Sequence, residues 1–367
     1  MKFKIQRESF LKPLQQVIGV VERRQTLAVL ANILLVADDT GISLTATDLE
    51  VELHARVAMK VTRKGETTLP ARKLFDICRT LPDQAMIDVE LDQDRATLRS
   101  GKSRFVLATL PASEFPVIDD VAGLWNISVS QAQLKKLIEK THFAMAQQDV
   151  RYYLNGLLLE VSGKELRAVA TDGHRLALAE IAVETSATNL QQVIMPRKGI
   201  QELLRVLEDR EEEPAQILIG ANHLRINLPE TRFTSKLIDG KFPDYQKVIP
   251  KNNSKTILAN RENLKQALTR TSILSNEKYR GVRLSLAQNA LKIQSHNPEQ
   301  EEAEEELEIN YQGETLEIGF NVNYLLDAVN VLGGGEVQAL MHDANSSCLL
   351  QAPNDPSCRY IVMPMRL

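Results

Sequence analysis

The chain has 367 residues, 43% of them apolar and 25% charged, with a formal net charge of −4. That balance excludes disordered, fibrous and membrane-spanning classes and leaves folded globular material, long enough for two or three domains of about 100–150 residues. Apolar runs such as Leu157–Leu159 meet a charge well short of the ~18 residues of a membrane span. The opening MKFKIQRESF lacks the apolar core of an export signal, and Cys78, Cys348 and Cys358 have no CxxC spacing, so a zinc or disulfide framework is disfavoured and a reducing, cytoplasmic setting is expected.

In chain order, KFKIQ alternates as a strand and leads into FLKPLQQVIGV, where Leu11, Leu14 and Ile18 fall at helical spacing. Short alternating runs follow, LANILLV and LTATDLEVEL, then a helix from Arg72 with Leu74, Ile77, Cys78 and Leu81 on one face, then RFVLATLPASEFP. NISVS opens a second section, in which Ser130 and Gln133 have capping-box spacing ahead of Leu134, Leu137 and Ile138. RYYLNGLLLEV, VATDGHRLAL, a helix carrying Ile200, Leu203, Leu204 and Leu207, and RFTSKLIDGKFPDY complete it. TILAN opens a third, with Asn260 capping a helix that carries Leu264, Ala267 and Leu268. KYRGVRLSL, IQSHNPEQEEAEEE, a helix carrying Leu325, Ala328, Val329 and Leu332, and RYIVMPMRL end the chain. The landmarks recur at a period of about 125 residues, so the chain reads as three copies of one module. We place them at 1–124, 125–252 and 253–367. Each is predicted as two helices laid by an apolar face on antiparallel sheet, an α+β fold.

The residues opposite the stripes are basic: Arg72, Lys73 and Arg79 against Asp76; Lys135, Lys136 and Lys140 against Glu139; Arg197, Lys198 and Arg205 against Glu202; Arg261, Lys265 and Arg270 against Glu262. Acid is concentrated elsewhere, at 209–213 and 299–308. One such helix is adequately read as a solvated face. Recurrence in register across the copies instead points to a surface that attracts a polyanion.

Other motifs read as structure. Gly101, Lys102 and Ser103 end like a phosphate loop, but Ala96 stands where its first glycine belongs, and a hairpin turn is expected. Thr171, Asp172, Gly173 and His174 sit between alternating runs, again a hairpin signal. No histidine pair has metal-ligand spacing, and Gly333, Gly334 and Gly335 read as a helix stop. The glutamates at 301, 302 and 304–306 read equally as a charged sheet edge or a solvated tract. Arg151, Tyr152 and Tyr153 suit stacking on bases and core packing alike. The end, Met363, Pro364, Met365, Arg366 and Leu367, either tucks into the core or leaves an adaptable apolar surface.

The order QDVRYYLNGLLLE, TDGHRLA, PRKG, DGKFPDY, LSNEKYRGVRL, NPEQEEAEEE, IGFNV and YIVMPMRL resembles the beta subunits of bacterial DNA polymerase III, the sliding clamps, from end to end. The resemblance implies three similar domains per protomer and a head-to-tail homodimeric ring around duplex DNA, helices lining the hole, with no catalysis, cofactor, metal or membrane contact of its own. It puts DNA contacts at Arg24, Gln148, Tyr152, Tyr153, Arg197 and Lys198, to which helix position adds Lys12, Arg72, Lys73 and Lys136. A partner-peptide cleft is implied at Leu154, Thr171, Gly173, His174, Arg175, Leu176, Pro243, Lys247, Val248, Asn321, Tyr324, Ser347, Ile361, Met363, Pro364, Met365 and Arg366. Lys247 stands where arginine is expected, which keeps charge but loses the planar fork. The implied seam joins Lys73, Phe105 and Leu107 to Ile273, Leu274, Glu301 and Glu304. The implied partners are the polymerase III alpha subunit, the clamp-loader delta subunit, and other polymerases and repair proteins. Two competing readings are a nucleotidyltransferase centred on TDGHR, against which the missing metal carboxylates and phosphate loop count, and a repeat scaffold that never touches DNA.

Overall fold

A computed structural model describes every residue except 22–26, 119, 120, 122, 124, 186, 188, 252 and 367, so Arg24 lies outside the described residues. Among the described residues six α-helices form where the apolar stripes place them: α1 (Arg7–Val17), α2 (Ala71–Thr80), α3 (Gln131–Glu139), α4 (Arg197–Val206), α5 (Arg261–Ser272) and α6 (Val322–Val331). The caps follow the sequence. Ser130 Oγ accepts from the Gln133 amide at 3.1 Å, and Asn260 Oδ1 accepts from the Asn263 amide at 3.0 Å, each satisfying an amide the first turn would orphan. Gly334 follows α6 at φ 83°, a backbone state that side chains resist. One helix differs in phase. α1 buries Phe10, Pro13, Leu14 and Val17 and leaves Leu11 half-exposed. Phe3 on the preceding strand meets Phe10 edge to face, centroids 6.0 Å apart, and the larger aromatic area takes the inward position.

The chain divides into two compact units: residues 1–135, 184–187 and 198–237, and residues 136–183, 188–197 and 238–367. The first unit holds a nine-stranded antiparallel sheet in the order Glu184–Thr185, Trp125–Ser130, Pro214–Ile219, His223–Asn227, Thr231–Lys236, Val51–Ala58, Gly41–Thr47, Asn32–Asp38, Gly65–Pro70. It also holds a four-stranded sheet, Lys2–Gln6, Met86–Asp92, Arg95–Ser100, Ser103–Ala108. The second unit holds an eight-stranded sheet, Gln191–Pro196, Gly156–Ser162, Glu165–Thr171, Arg175–Ala182, Asp355–Val362, Cys348–Ala352, Glu336–Met341, Lys255–Asn260. Its other sheet runs Glu302–Glu308, Ala290–His296, Gly281–Ala287, Leu316–Asn321.

The second sequence repeat is thus shared out. Its strand 231–236 pairs with 51–58 of the first repeat, Thr231 opposite Ala55 and Ser235 opposite Val51. Its strand 175–182 pairs with 355–362 of the third, Arg175 opposite Val362 and Ala179 opposite Cys358. Edge strands carry unpaired amides and carbonyls, and continuing a sheet into the next repeat satisfies them.

Among the described residues, two of the longer terminal strands stay open. Ser103–Ala108 and Glu302–Glu308 end their sheets, and among the described residues no backbone group pairs with their outer sides. Both follow motifs read from sequence: the Gly101 turn forms the 95–108 hairpin, and the glutamate run is a charged edge.

His54 gives the first unit a pH dependence. It lies on strand Val51–Ala58 with Nδ1 3.0 Å from Thr45 Oγ1. Burial first, then the charges of Arg232, Arg56 and Arg225, push its pKa from 6.5 down to about 4. The unfolded chain therefore takes up a proton through a window in which the folded one does not, and stability falls as pH drops from 6.5 towards about 4. His54→Gln should flatten that part of a plot of urea midpoint against pH; an unchanged slope would assign it to other groups.

Candidate functional site

Within the second unit, strand Glu165–Thr171 reverses through Asp172, Gly173 and His174 into Arg175–Ala182. Gly173 adopts φ 89°, and Asp172 Oδ1 accepts from the amides of His174 and Arg175 at 2.9 and 3.0 Å. Thr171 Oγ1 donates to the Arg175 carbonyl at 2.6 Å. The turn expected from TDGH is therefore built, with the Asp172 carboxylate and the Thr171 hydroxyl bonded within it. The Arg175 side chain, 14% exposed, ties this hairpin to α6. It bonds Asp172 at 3.1 Å and the Phe143 carbonyl at 2.9 Å, pairs with Asp327, and lies 4.5 Å from the Tyr324 ring centroid. Two carboxylates cancel its charge, so it serves as a bracket.

The last strand, Asp355–Val362, leads into a tail that the same turn anchors. The Met363 amide donates to the His174 carbonyl at 2.9 Å, and the Met365 amide to the Gly319 carbonyl at 2.8 Å. Met363, Pro364 and Met365 remain half-exposed and Arg366 is exposed. The sequence left burial and display open for this tail; the backbone bonds hold it on the surface with its side chains partly free.

Beneath lies an apolar floor. Leu154, Leu176 and Ile361 are buried in one cluster with Leu158, Phe242, Tyr245 and Leu349, and Val248 and Tyr153 pack on it half-buried. Tyr152 is 57% exposed, its ring edge-on to Tyr153 at 5.7 Å, so of the two tyrosines Tyr153 is the one that packs on the core. Asn321 caps α6 by accepting from the Asn323 amide at 2.9 Å, and Ser347 is half-buried just before strand Cys348–Ala352. Pro243 is exposed, and Lys247 is 82% exposed with its ammonium 3.1 Å from Asp244.

A buried polar network supports this floor, and sequence reading missed it. Glu160 sits in a strand covered on both faces, its side chain 4% exposed. It accepts from Tyr245 Oη at 2.8 Å, Arg167 Nη1 at 2.7 Å and Gln192 Nε2 at 2.7 Å. The glutamate inside the run LLLEV was the available signal. Arg167 also bonds Glu180 at 2.9 Å, which removes the isolated buried charge that would otherwise be costly.

The candidate DNA contacts separate by how their charge is used. In the first unit Lys12 pairs with Glu230 at 2.7 Å, and Lys198 pairs with the buried Asp48 carboxylate. Arg72 donates to the Val21 carbonyl at 2.8 Å, a bond that orients the guanidinium without cancelling it, and Lys73 is exposed beside it. In the second unit Arg197 donates to the Met145 carbonyl at 3.0 Å. Lys136 is exposed, as is Gln148 at φ 54°. Among the described residues, no salt bridge holds Arg72, Lys73, Lys136 or Arg197.

The candidate seam residues flank the two open strands. In Ser103–Ala108, Phe105 is half-buried and Leu107 is 8% exposed, both on the inward face; Val106, not singled out in the sequence, is the exposed apolar residue. In the second unit Ile273 at the end of α5 is 72% exposed and Leu274 half-buried. Glu301 accepts from Asn297 at 2.7 Å and Glu304 from Lys292 at 2.9 Å. Among the described residues no group of three or more His, Cys, Asp and Glu could hold a metal ion, and no helix is long and apolar enough to cross a membrane.

Three family models match the chain in succession: the N-terminal domain of the DNA polymerase III beta subunit over residues 1–119, its central domain over 128–244, and its C-terminal domain over 246–366. The chain belongs to the DNA polymerase III beta-subunit family. It is 53% identical to the beta sliding clamp of Pseudomonas aeruginosa and 52% identical to that of Escherichia coli K12, each over the whole of both chains. A crystal structure of the Pseudomonas aeruginosa clamp with griselimycin bound superposes at a TM-score of 0.97, 53% identical and covering all of both chains. The Caulobacter crescentus beta sliding clamp, with polyethylene glycol bound to a putative beta-motif tethering region, matches at 0.94 and 39% identity over 100% of this chain and 99% of that one.

In this member of the beta-subunit family, Tyr245→Phe should lower unfolding stability by about 1–3 kcal/mol in urea titration, because the buried Glu160 carboxylate loses a donor. An unchanged midpoint would show that Arg167 and Gln192 satisfy the carboxylate alone.

Proposed function

We propose that the chain acts as a non-catalytic sliding clamp of cytoplasmic DNA replication, closing with a second copy into a ring that encircles duplex DNA and tethers polymerases. The observation that carries this reading is the match to beta sliding clamps along the whole chain at more than half identity. We take the modules as 1–124, 125–252 and 253–367; the three successive family matches support that division. The cations left unneutralised on α2, α3 and α4 suit a surface that must hold phosphate at any sequence, since backbone contacts position a protein without reading bases. The floor of Leu154, Leu176 and Ile361 beside the displayed methionines suits a short apolar peptide anchor. The polymerase III alpha subunit, the clamp-loader delta subunit and repair proteins are its expected carriers. Lys247, without the fork of an arginine and paired with Asp244, then offers that site no bidentate contact.

The topological element has a direct test. Loaded onto a circular plasmid, the clamp should stay bound through a salt wash and leave within the same interval once a restriction enzyme linearises the DNA. Equal retention on circular and blunt linear DNA would replace encirclement with ordinary affinity.

The seam has another. Ser103–Ala108 and Glu302–Glu308 are open edges of unlike charge, and head-to-tail closure pairs each with the other twice about a twofold axis. Ile273→Asp places a carboxylate where an apolar side chain is 72% exposed. Light scattering at low micromolar concentration should give the mass of two chains for the parent and one for the variant. A dimer of undiminished stability in the variant would move the seam elsewhere.

A further inference from the structure

Cys78, Cys348 and Cys358 are all buried and unpaired with one another, but they are not alike. Burial pushes the thiols of Cys78 and Cys348 up to about 12, which keeps them protonated and inert. Cys358 lies on strand Asp355–Val362, 5% exposed, with the Lys140 ammonium 3.3 Å from its sulfur. Lys140 follows α3, and its charge and that of Lys136 also reach Asp355 at the start of the strand. On the protein side stands Tyr360. It is 1% exposed, and among the described residues its hydroxyl has no hydrogen-bond partner. Burial first, then the Cys358 thiol, hold that phenol well above its ordinary range. Cys358 and Tyr360 stand two residues apart on this strand, so their side chains share one face. A buried phenol left unsatisfied beside a thiol and an amine is an unusual arrangement, and the sliding-clamp reading does not use it.

We propose that Cys358 and Lys140 form a peroxide-sensitive modification site, in which the cysteine is oxidised and the lysine amine captures it as a sulfur–nitrogen crosslink. The thiolate sulfur attacks one oxygen of hydrogen peroxide and the O–O bond breaks. Hydroxide leaves and takes up the proton that the thiol released, giving a sulfenic acid and one water. Sulfur has lost two electrons and peroxide has gained them. Lys140, having given one proton to solvent, attacks the sulfur through its lone pair. The S–O bond breaks, an S–N bond forms, and the departing hydroxide takes the second amine proton as another water. The sum is thiol, ammonium and peroxide giving sulfenamide, two waters and one proton.

Each neighbour has a part. Lys140, its nitrogen 3.3 Å from the sulfur, is placed to form the crosslink. Tyr360 supplies a donor for the new sulfenic oxygen, which ends its own isolation. The crosslink removes the Lys140 charge beside Lys136 and fastens the end of α3 to the strand that runs into the Met363–Arg366 tail. Reduction by a thiol reverses it.

The test is hydrogen peroxide treatment of the full chain, followed by intact-mass measurement and peptide mapping without reductant. Parallel samples contain dimedone to trap sulfenic acid. The parent should lose the mass of two hydrogens, map to a linked Lys140–Cys358 peptide, and return to its starting mass with dithiothreitol. Lys140→Arg and Lys140→Gln should lose the linked peptide and gain a dimedone adduct at Cys358; Cys358→Ser should show neither. The proposal is overturned if Cys358 stays a thiol, if its dimedone adduct is equally abundant in parent and Lys140 variants, or if the mass loss maps to a disulfide involving Cys78 or Cys348.

Discussion

Two runs of antiparallel backbone hydrogen bonds carry the architecture. One joins 231–235 to 51–55, the other 175–179 to 358–362. Each turns the exposed edge of one repeat into the interior of a larger sheet. Each also fixes register, because a slip of one residue would exchange buried and exposed faces along the whole strand. Phe233 opposite Leu53 and Leu176 opposite Ile361 show what the register protects: all four side chains are buried at these joins. Once the internal edges are spent in this way, only strands outside the joins remain to meet another chain, and 103–108 and 302–308 are such strands.

The same economy governs the cations. A lysine held by a carboxylate contributes little field beyond the pair, and an exposed pair adds only about 0–1 kcal/mol of stability. A guanidinium held by a backbone carbonyl is positioned just as well and keeps its charge. Arg72 and Arg197 use the second device, Lys12 and Lys198 the first. The first two therefore meet no carboxylate among the described residues, whereas Lys12 and Lys198 are largely committed to holding their own unit together.

Much of this was legible in the sequence because it is local. The positions of the six helices, the Ser130 and Asn260 caps, the turns at Gly101 and Asp172 and the stop at Gly334 depend on neighbours a few residues away, and each formed as the residues indicated. What depended on distant partners was not legible. The phase of α1 was set by Phe3 across a strand–helix contact, against a pattern that suited Leu11 equally well. The Glu160, Arg167 and Tyr245 network draws on two strands and a later loop, so a single charge inside LLLEV was its only trace. Counting basic residues per helix likewise could not separate Lys198 from Arg197, since Asp48 lies in the first repeat. How the second repeat is divided between two units also lay beyond the pattern, because strand alternation states which face is buried and not which edge finds a neighbour.

The tail after Val362 has a thermodynamic consequence. Its amides at Met363 and Met365 are tied to the carbonyls of His174 and Gly319, so alternate residues are fixed while methionine side chains stay adjustable. In the proposed peptide-anchoring role, an incoming segment would meet a backbone whose freedom was already surrendered during folding, with only thioether rotamers left to order. Such a surface would be tight without being exacting: the rigid rail would set where a ligand lies, and the soft side chains would accept differences in its shape.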